Sequence, residues 1–369
     1  MATTSQSHIN YSPVIIPPTT EFFIDQDVFG PEFAHECQKM RRKIALFADV
    51  AIAETWGEKL CRHLEADLFV VPGGESCKTR AWKQKLEDLL IEKKFGRDSL
   101  FLAMGGGCVT DLIGYLASTY LRGVPLILIP TTLLGMVDSA IGGKNAVNTP
   151  RGKNLIGTLY HPKAVIMDLQ FLQTLPQKEW YNGLSEILKH GLIRDPRLWQ
   201  LCEEQALGQW QNPSFLLNTI HASITLKLEV AEADLAETGM RRILNYGHTI
   251  AHGLEVLSKY KMSHGEAVAI GCMTECWLSH HAGHLSRTDL ERILQLYRRY
   301  GYKVRLPKNF AADTFAEALT RDKKAARGQA RYVMIDRIGN TLPFDGSYCT
   351  GIEESDYTEL IRWMKANAQ

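Results

Sequence analysis

The chain has 369 residues, of which 45% are hydrophobic and 22% are charged, and its formal net charge is +1. This length predicts two domains, each large enough to bury a core of its own. The balanced charge excludes a sequence-independent nucleic-acid binder, and no apolar run is long enough to span a membrane.

The first half of the chain reads as an α/β domain that follows a loose lead-in over residues 1–20. The lead-in lacks the basic start and apolar run of a secretory signal. Apolar runs predict buried strands at 43–50, 68–71, 99–104, 125–130 and 165–169. Helical spacing between them covers 79–94 and 110–121. Strands that alternate with helices predict a Rossmann-like parallel sheet, and we assign this domain to residues 21–175.

The second half, residues 176–369, reads as mostly α-helical. Apolar residues recur there at intervals of three and four, which predicts helices over 177–190, 214–238, 241–261, 266–281 and 288–300. A late strand is predicted over 330–336, in a hairpin. The eight cysteines are scattered, and Cys272 and Cys276 read as buried thiols. This usage is typical of a reducing compartment, the cytoplasm.

Glycines follow two of the predicted strands. Residues 99–111 read SLFLAMGGGCVTD, and residues 72–78 read PGGESCK. Ligands of open α/β sheets bind beyond the carboxyl ends of strands, where glycines let backbone N–H groups approach a pyrophosphate. The pattern favours a dinucleotide site, although a structural turn also uses glycines and the full GxGxxG pattern is absent.

Residues 130–154, PTTLLGMVDSAIGGKNAVNTPRGKN, form the densest polar segment. Lysines on glycine-rich loops serve as point charges for phosphate or carboxylate groups. A solvated loop is the alternative, but it explains neither the glycines nor the apolar neighbours.

Residues 245–266, NYGHTIAHGLEVLSKYKMSHGE, contain three histidines. His248 and His252 are four apart and share a helix face, and a helix break before His264 would fold it back toward them. Imidazoles in this spacing favour a zinc-type site over satisfied core histidines. Glu186 lies three residues before Lys189, which is typical of a surface ion pair. If Glu186 joined His248 and His264, one carboxylate and two imidazoles would form a catalytic zinc shell; spacing leaves this open.

The motifs resemble the 3-dehydroquinate synthase family. They are, in order, GGGCVTDLIGYLASTYLRG, IPTTLLGMVDSAIGGKNAVN, GKNLIGTLYHP, GLSEILKHG, GMRRILNYGHTIAHGLE and HGEAVAIG. The resemblance covers nearly the whole chain from about residue 20. It implies an NAD-binding α/β half, a helical metal- and substrate-binding half, and a homodimer. It also implies conversion of 3-deoxy-D-arabino-heptulosonate 7-phosphate to 3-dehydroquinate with NAD and Zn²⁺ or Co²⁺.

The resemblance also implies a role for each matching residue. It makes Glu186, His248 and His264 the metal ligands, and it assigns His252 to proton transfer near the substrate. The implied NAD set is Glu75, Lys78, Gly106, Gly107, Asp111, Thr131, Thr132 and Lys144, with Asp138 and Lys153 near the nicotinamide and substrate. The implied substrate set is Lys144, Asn154, Lys189, Lys227, Arg241 and Asn245, with Arg122 reaching the phosphate across the dimer and Lys324, rather than Lys323, approaching it. Asn145 and Thr110 depart from the family pattern, which often has Thr and Gly there; we expect these departures to alter loop packing but no assigned chemical role.

Three alternatives stay open at the level of sequence. A sister sugar phosphate cyclase would close sedoheptulose phosphate or an amino analogue. Lys227, Arg241 and Asn245 favour a substrate with an acid group over a neutral sugar, but an amino-substrate relative keeps most of these residues. A metal-dependent polyol dehydrogenase would release NADH. A non-catalytic binding protein would have the same fold but no enzymatic activity.

Overall fold

The computed structural model describes residues 20–39, 43–205, 211–234, 237, 239–308, 310–320, 330–344 and 346–368. The chain divides into two compact units, Met1–Thr174 and Leu175–Gln369. All but the last residue of the predicted lead-in, and both Lys323 and Lys324, lie outside the described residues. Across the described part of the chain, no helix combines the length and apolar character needed to cross a membrane.

The first unit contains a six-stranded parallel sheet and an antiparallel hairpin. Its strands are β1 Glu21–Asp25, β2 Ile44–Asp49, β3 Asp67–Val71, β4 Leu100–Gly105, β5 Leu126–Pro130, β6 Lys144–Thr149, β7 Gly152–Leu159 and β8 Ala164–Asp168. Its helices are α1 Pro31–Lys39, α2 Val50–Ile52, α3 Glu58–Leu64, α4 Arg80–Glu92 and α5 Gly107–Thr119. The strand order is β1-β8-β5-β4-β2-β3, and β6 pairs with β7. The predicted Rossmann-like sheet is confirmed.

The central strands formed where continuous apolar runs predicted them. Every residue of β4, β5 and β8 is buried, as expected for a parallel sheet that is covered on both faces. Strand β1, EFFID, was not predicted because it lies at the sheet edge and only Phe22 is fully buried. The β6–β7 hairpin was not predicted either, because none of the residues of β7 is fully buried and the sequence of β7 is largely polar or small.

The second unit is mostly helical, as predicted. Its helices are α6 Gln177–Ile193, α7 Pro196–Glu204, α8 Pro213–Ala233, α9 His248–Leu257, α10 His264–His281, α11 Arg287–Arg299, α12 Ala312–Thr320 and α13 Glu354–Ala366. Strands β9 Ile335–Arg337 and β10 Asn340–Thr341 form the late hairpin. Cys272 and Cys276 are fully buried thiols on α10, which confirms that prediction.

The prediction of one continuous helix over 241–261 was wrong. Met240–Asn245 form a 3₁₀ turn, and α9 starts only at His248. Gly247 separates the two because its φ of +77° lies in the left-handed region, which interrupts a helix. Helix α8 likewise ends at Ala233, before the predicted boundary.

Candidate active site

Gly247 places His248 at the first position of α9. A Cβ atom at Gly247 would lie 2.7 Å from the sulfur of Cys272 on α10, so no larger residue fits there. Gly271 leaves similar room, since a Cβ there would lie 1.9 Å from the carbonyl oxygen of Gly247. These two glycines let α10 pack directly against the backbone at the start of α9. The direction of the His248 side chain therefore depends on close packing between two backbones.

His264 is held on the first turn of α10 by contacts with α6. The backbone N–H of Gly265 donates to Oδ1 of the buried Asn182, at 2.9 Å. A Cβ at Gly265 would lie 2.4 Å from Cα of Asn182, so the two backbones are in direct contact. At the same end of the helix, Ser263 is the N-cap and accepts from the backbone N–H of Glu266. The start of α10 is thus docked on the helix that carries Glu186.

Glu186 is fully buried in the middle of α6. Its Oε2 lies 2.5 Å from Nζ of Lys189, which is also buried and donates to the carbonyl of Leu244 at 2.9 Å. The other oxygen, Oε1, faces both histidines. Lys189 therefore holds one carboxylate oxygen while the second points at the imidazoles, and the predicted surface ion pair is a buried one.

The three groups form a compact set of donor atoms. Oε1 of Glu186 lies 3.7 Å from Nε2 of His248 and 3.5 Å from Nε2 of His264. All three donor atoms lie within 4.8 Å of one another. Atoms that bind zinc at about 2.0–2.1 Å in tetrahedral geometry lie about 3.3–3.4 Å apart. The two carboxylate–imidazole separations differ from that value by a few tenths of an ångström, so one carboxylate and two imidazoles would suit a zinc-type ion.

Each of these two histidines has a partner on its outer nitrogen. Nδ1 of His248 lies 3.1 Å from the carbonyl oxygen of Tyr246, and Nδ1 of His264 lies 3.6 Å from Oε1 of Glu255. Burial would lower the pKa of His264, but the carboxylates of Glu186 and Glu255 outweigh it and raise the pKa to about 10. In the metal-free protein the raised pKa therefore favours a protonated His264 ring between the two carboxylates. A dication that binds this ring would compete with the proton.

His252 does not belong to the donor set found among the described residues. Its ring lies one turn further along α9, with its centroid 5.7 Å from that of His248. The helix face that His248 and His252 share was correctly predicted, but the tertiary structure selects His264 and Glu186 to join His248.

The 3₁₀ turn before α9 carries two further candidates, Arg241 and Asn245. Arg241 is buried, and its backbone N–H donates to Oδ2 of Asp234 at 3.1 Å. Asn245 donates from Nδ2 to Oε1 of Glu237 at 3.0 Å. Lys227, on α8, is half-buried. The predicted acid-binding groups thus lie on α8 and on the turn that leads into α9.

In the first unit, the glycine turns follow β3 and β4 and carry a buried ion pair. Nζ of Lys78 contacts Oδ2 of Asp111 on α5. Burial would lower the pKa of Lys78, but Asp111 outweighs it and raises the pKa. Gly106 is the N-cap of α5, and a Cβ at Gly107 would lie 2.7 Å from the Ser139 hydroxyl. The parallel strands place these turns on one edge of the sheet.

A second polar cluster joins the turn after β3 to the hairpin. Glu75 pairs with Lys153 at 3.1 Å and accepts from Nδ2 of Asn148 at 2.5 Å. Oδ1 of Asn148 in turn accepts the backbone N–H of Asn154, whose φ is +56°. Lys144 is exposed at the start of β6. The hairpin therefore carries three of the predicted charged or polar site residues.

The remaining first-unit candidates lie after β5 and α5. Thr131 directly follows β5, and Oγ1 of Thr132 accepts from the backbone N–H of Gly135 at 3.0 Å. Asp138 lies in the π-helical turn Gly135–Ser139. Arg122 is exposed in the turn after α5, with a φ of +69°.

Asn145 and Thr110, which depart from the family pattern, both form hydrogen bonds within the first unit. The buried amide of Asn145 donates to the carbonyls of Gly143 at 2.8 Å and Tyr160 at 3.0 Å. It fills the space beside Gly114, where a Cβ would lie 1.7 Å from Oδ1 of Asn145. Oγ1 of Thr110 bonds within α5. Asn145 thus braces the hairpin against α5.

Sequence reasoning missed Asp49 and Glu255. Asp49 ends β2, between β3 and β4 in the sheet, and its carboxylate lies beside Gly73, 2.6 Å from where a Cβ would be. Ligands of open parallel sheets bind beyond the carboxyl ends of strands, so this acid lies at the edge where a dinucleotide would bind. The signal was an aspartate directly after a buried apolar run. Helical spacing could also have identified Glu255, because it lies seven residues after His248 and therefore on the same helix face.

Comparison with known proteins agrees with this arrangement. Residues 68–182 match the N-terminal domain of 3-dehydroquinate synthase and residues 183–325 match its C-terminal domain. The 3-dehydroquinate synthase of Thermodesulfovibrio yellowstonii is 37% identical over 81% of this chain and 85% of its own length. That of Geobacter metallireducens is 42% identical over 73% and 75%. The structure of 2-epi-5-epi-valiolone synthase from Streptomyces hygroscopicus, with NAD⁺ and Zn²⁺ bound, superimposes with a TM-score of 0.85 and 27% identity, covering 97% of this chain and 99% of the other.

The parallel sheet and the helical unit with its donor set define a fold of the sugar phosphate cyclase class. Within that class, the chain belongs to the 3-dehydroquinate synthase family.

Proposed function

We propose that the chain converts 3-deoxy-D-arabino-heptulosonate 7-phosphate to 3-dehydroquinate and phosphate, as a carbon–oxygen lyase of the shikimate pathway. The observation that carries the proposal is the set of Glu186, His248 and His264, within 4.8 Å of one another in a family member. We assign NAD binding to the first unit, and metal binding and the contacts to the substrate carboxylate to the second. When bound, NAD would supply a reversible hydride acceptor and the dication a Lewis acid for a substrate hydroxyl.

The residues of the second unit have distinct tasks in this proposal. Glu186, His248 and His264 would hold the dication. Lys189 keeps Oε2 of Glu186 occupied, so that only Oε1 is presented to the ion. His252, one turn further along α9, would move a proton at the substrate.

Cationic and amide groups would bind the acid groups of the substrate. Lys227, Arg241 and Asn245 would bind its carboxylate, and Lys144, Lys153 and Asn154 would bind near the phosphate and nicotinamide. Lys324 is proposed as a further phosphate contact and lies outside the described residues.

The glycine turns of the first unit would bind NAD through backbone N–H groups and charged side chains. The α5 N-terminus at Gly106 and Gly107 presents N–H groups to a pyrophosphate. The side chains that complete the proposed NAD set are Asp49, Glu75, Lys78, Asp111, Thr131, Thr132 and Asp138.

We also propose a homodimer in which Arg122 serves the partner's site. Apolar side chains are exposed in the turn that carries Arg122 and on β7: Leu121 by 40%, Leu155 by 50% and Leu159 by 58%. Left-handed backbone at Leu121 and Arg122 costs about 1–3 kcal/mol per residue, strain that is typical of functional positions. In a two-fold dimer, mixing inactive Arg122→Ala and His264→Ala proteins should restore about a quarter of the wild-type activity after subunit exchange. No recovery by an exchanged mixture would contradict the shared site.

A cytoplasmic location belongs to the same proposal. Its support is that all eight cysteines are free thiols, as in proteins of a reducing compartment.

The decisive assay measures phosphate release by the zinc-loaded protein from the heptulosonate phosphate, with NADH absorbance recorded in parallel. We expect phosphate release that a chelator abolishes, with no NADH accumulating. Sedoheptulose 7-phosphate serves as the comparison substrate. Turnover of that sugar alone would move the chain to a sister cyclase, and NADH formation from polyols would contradict the cyclase assignment.

A further inference from the structure

The carboxylate of Glu255 lies directly behind His264. It is buried, with its side chain 6% exposed, and its Oε1 is 3.6 Å from Nδ1 of His264. The opposite nitrogen of the same ring, Nε2, faces Oε1 of Glu186 at 3.5 Å. The imidazole of His264 therefore lies between two carboxylates, one inside the donor set and one outside it.

The two histidines of the donor set differ in what faces their outer nitrogen. For His248 it is the backbone carbonyl of Tyr246, which no substitution removes. For His264 it is a side chain from a different helix. A carboxylate or carbonyl in this position keeps the proton on Nδ1 and leaves the Nε2 lone pair free for a metal.

The position of Glu255 follows from the periodicity of α9. His248, His252 and Glu255 follow one another at intervals of four and three residues, so they share one helix face. The backbone at Glu255 is well anchored, because its carbonyl accepts the N–H of Tyr260 at 2.7 Å and the hydroxyl of Ser258 at 2.9 Å. One helix thus carries a donor of the set and the carboxylate that faces another donor.

We propose that Glu255 is a positioning residue that holds the ring and tautomer of His264 for metal binding. The inference rests on the proposed metal role of Glu186, His248 and His264. Loss of such an outer carboxylate lowers metal affinity about 10–100-fold. Glu255 needs no contact with substrate in this role.

The test compares Co²⁺ and Zn²⁺ affinities of metal-free protein by competition with a chromogenic chelator, together with the visible spectrum of the Co²⁺ form. The variants are Glu255→Ala, the isosteric Glu255→Gln and His264→Ala. Glu275→Gln is the matched control, because Glu275 is also buried, lies on α10 and does not belong to the donor set. Circular dichroism of each metal-free variant reports whether it is folded.

We expect Glu255→Ala to weaken metal binding about 10–100-fold and Glu255→Gln about tenfold, with altered Co²⁺ bands and an unchanged control. A folded Glu255→Ala variant that matches the wild type in affinity and spectrum would overturn the inference. If that variant does not fold, the same criterion applies to Glu255→Gln. Equal metal binding by His264→Ala and wild type would instead refute the proposed metal centre. Loss of metal in His264→Ala alone would refute only the role of Glu255.

Discussion

Replacing Lys189 by alanine tests how the buried carboxylate of Glu186 is tolerated in the metal-free protein. Lys189 is 1% exposed and Glu186 is 0% exposed, and their charged atoms are 2.5 Å apart. Removing one partner of a buried ion pair costs about 3–5 kcal/mol, because the other charge is left without compensation. His264 also faces Glu186, at 3.5 Å, and would retain part of the compensation. We therefore expect a loss at the low end, about 3 kcal/mol.

The measurement is the free energy of unfolding in urea, followed by tryptophan fluorescence with and without Zn²⁺. We expect a smaller loss in the zinc-loaded protein, since a dication would then face Glu186. Arg292→Ala is the control: its pair with Glu203 is 2.5 Å long, but Arg292 is half exposed, so the cost should be at most about 1 kcal/mol. If Lys189→Ala costs the metal-free protein no more than this control does, the argument from burial is wrong.

Three further predictions concern the same site. His264→Ala should lose metal and activity together, whereas His252→Ala should keep its metal and turn over more slowly; equal metal loss, measured by metal analysis, would contradict the assigned roles. Because the pKa of His264 is raised to about 10 in the metal-free protein, this residue must lose a proton when metal binds. Metal affinity should therefore rise with pH between about 6.5 and 9, and calorimetry in buffers of different ionisation enthalpy should show proton release; a flat profile would refute this coupling. Gly265→Ala should lower the melting temperature and weaken metal binding, because the new Cβ would lie 2.4 Å from the α6 backbone, whereas Gly30→Ala, with no atom within 4 Å, should change neither. Similar melting temperatures in the two variants would show that α10 does not need this contact.

Much of the fold was predictable because local patterns and tertiary burial agree. Strands β4, β5 and β8 are buried over their whole length, so their apolar runs are visible without any partner. The hairpin β6–β7 was not, because its pairing depends on contacts between polar, half-exposed residues that lack a distinctive periodicity. The break before α9 depended on the φ of one glycine, Gly247, which spacing does not specify.

For the site, the sequence alone determined which residues can act as ligands and that His248 and His252 share a helix face. Its motifs also determined the family. Only the tertiary structure decided which donors meet. Glu186 reaches His264 because Gly265 allows α10 to dock on α6, and Glu255 lies behind His264 because α9 ends beside it. Helical spacing records contacts within one helix, whereas this donor set is assembled from three helices, whose separation is set by packing that no single segment encodes.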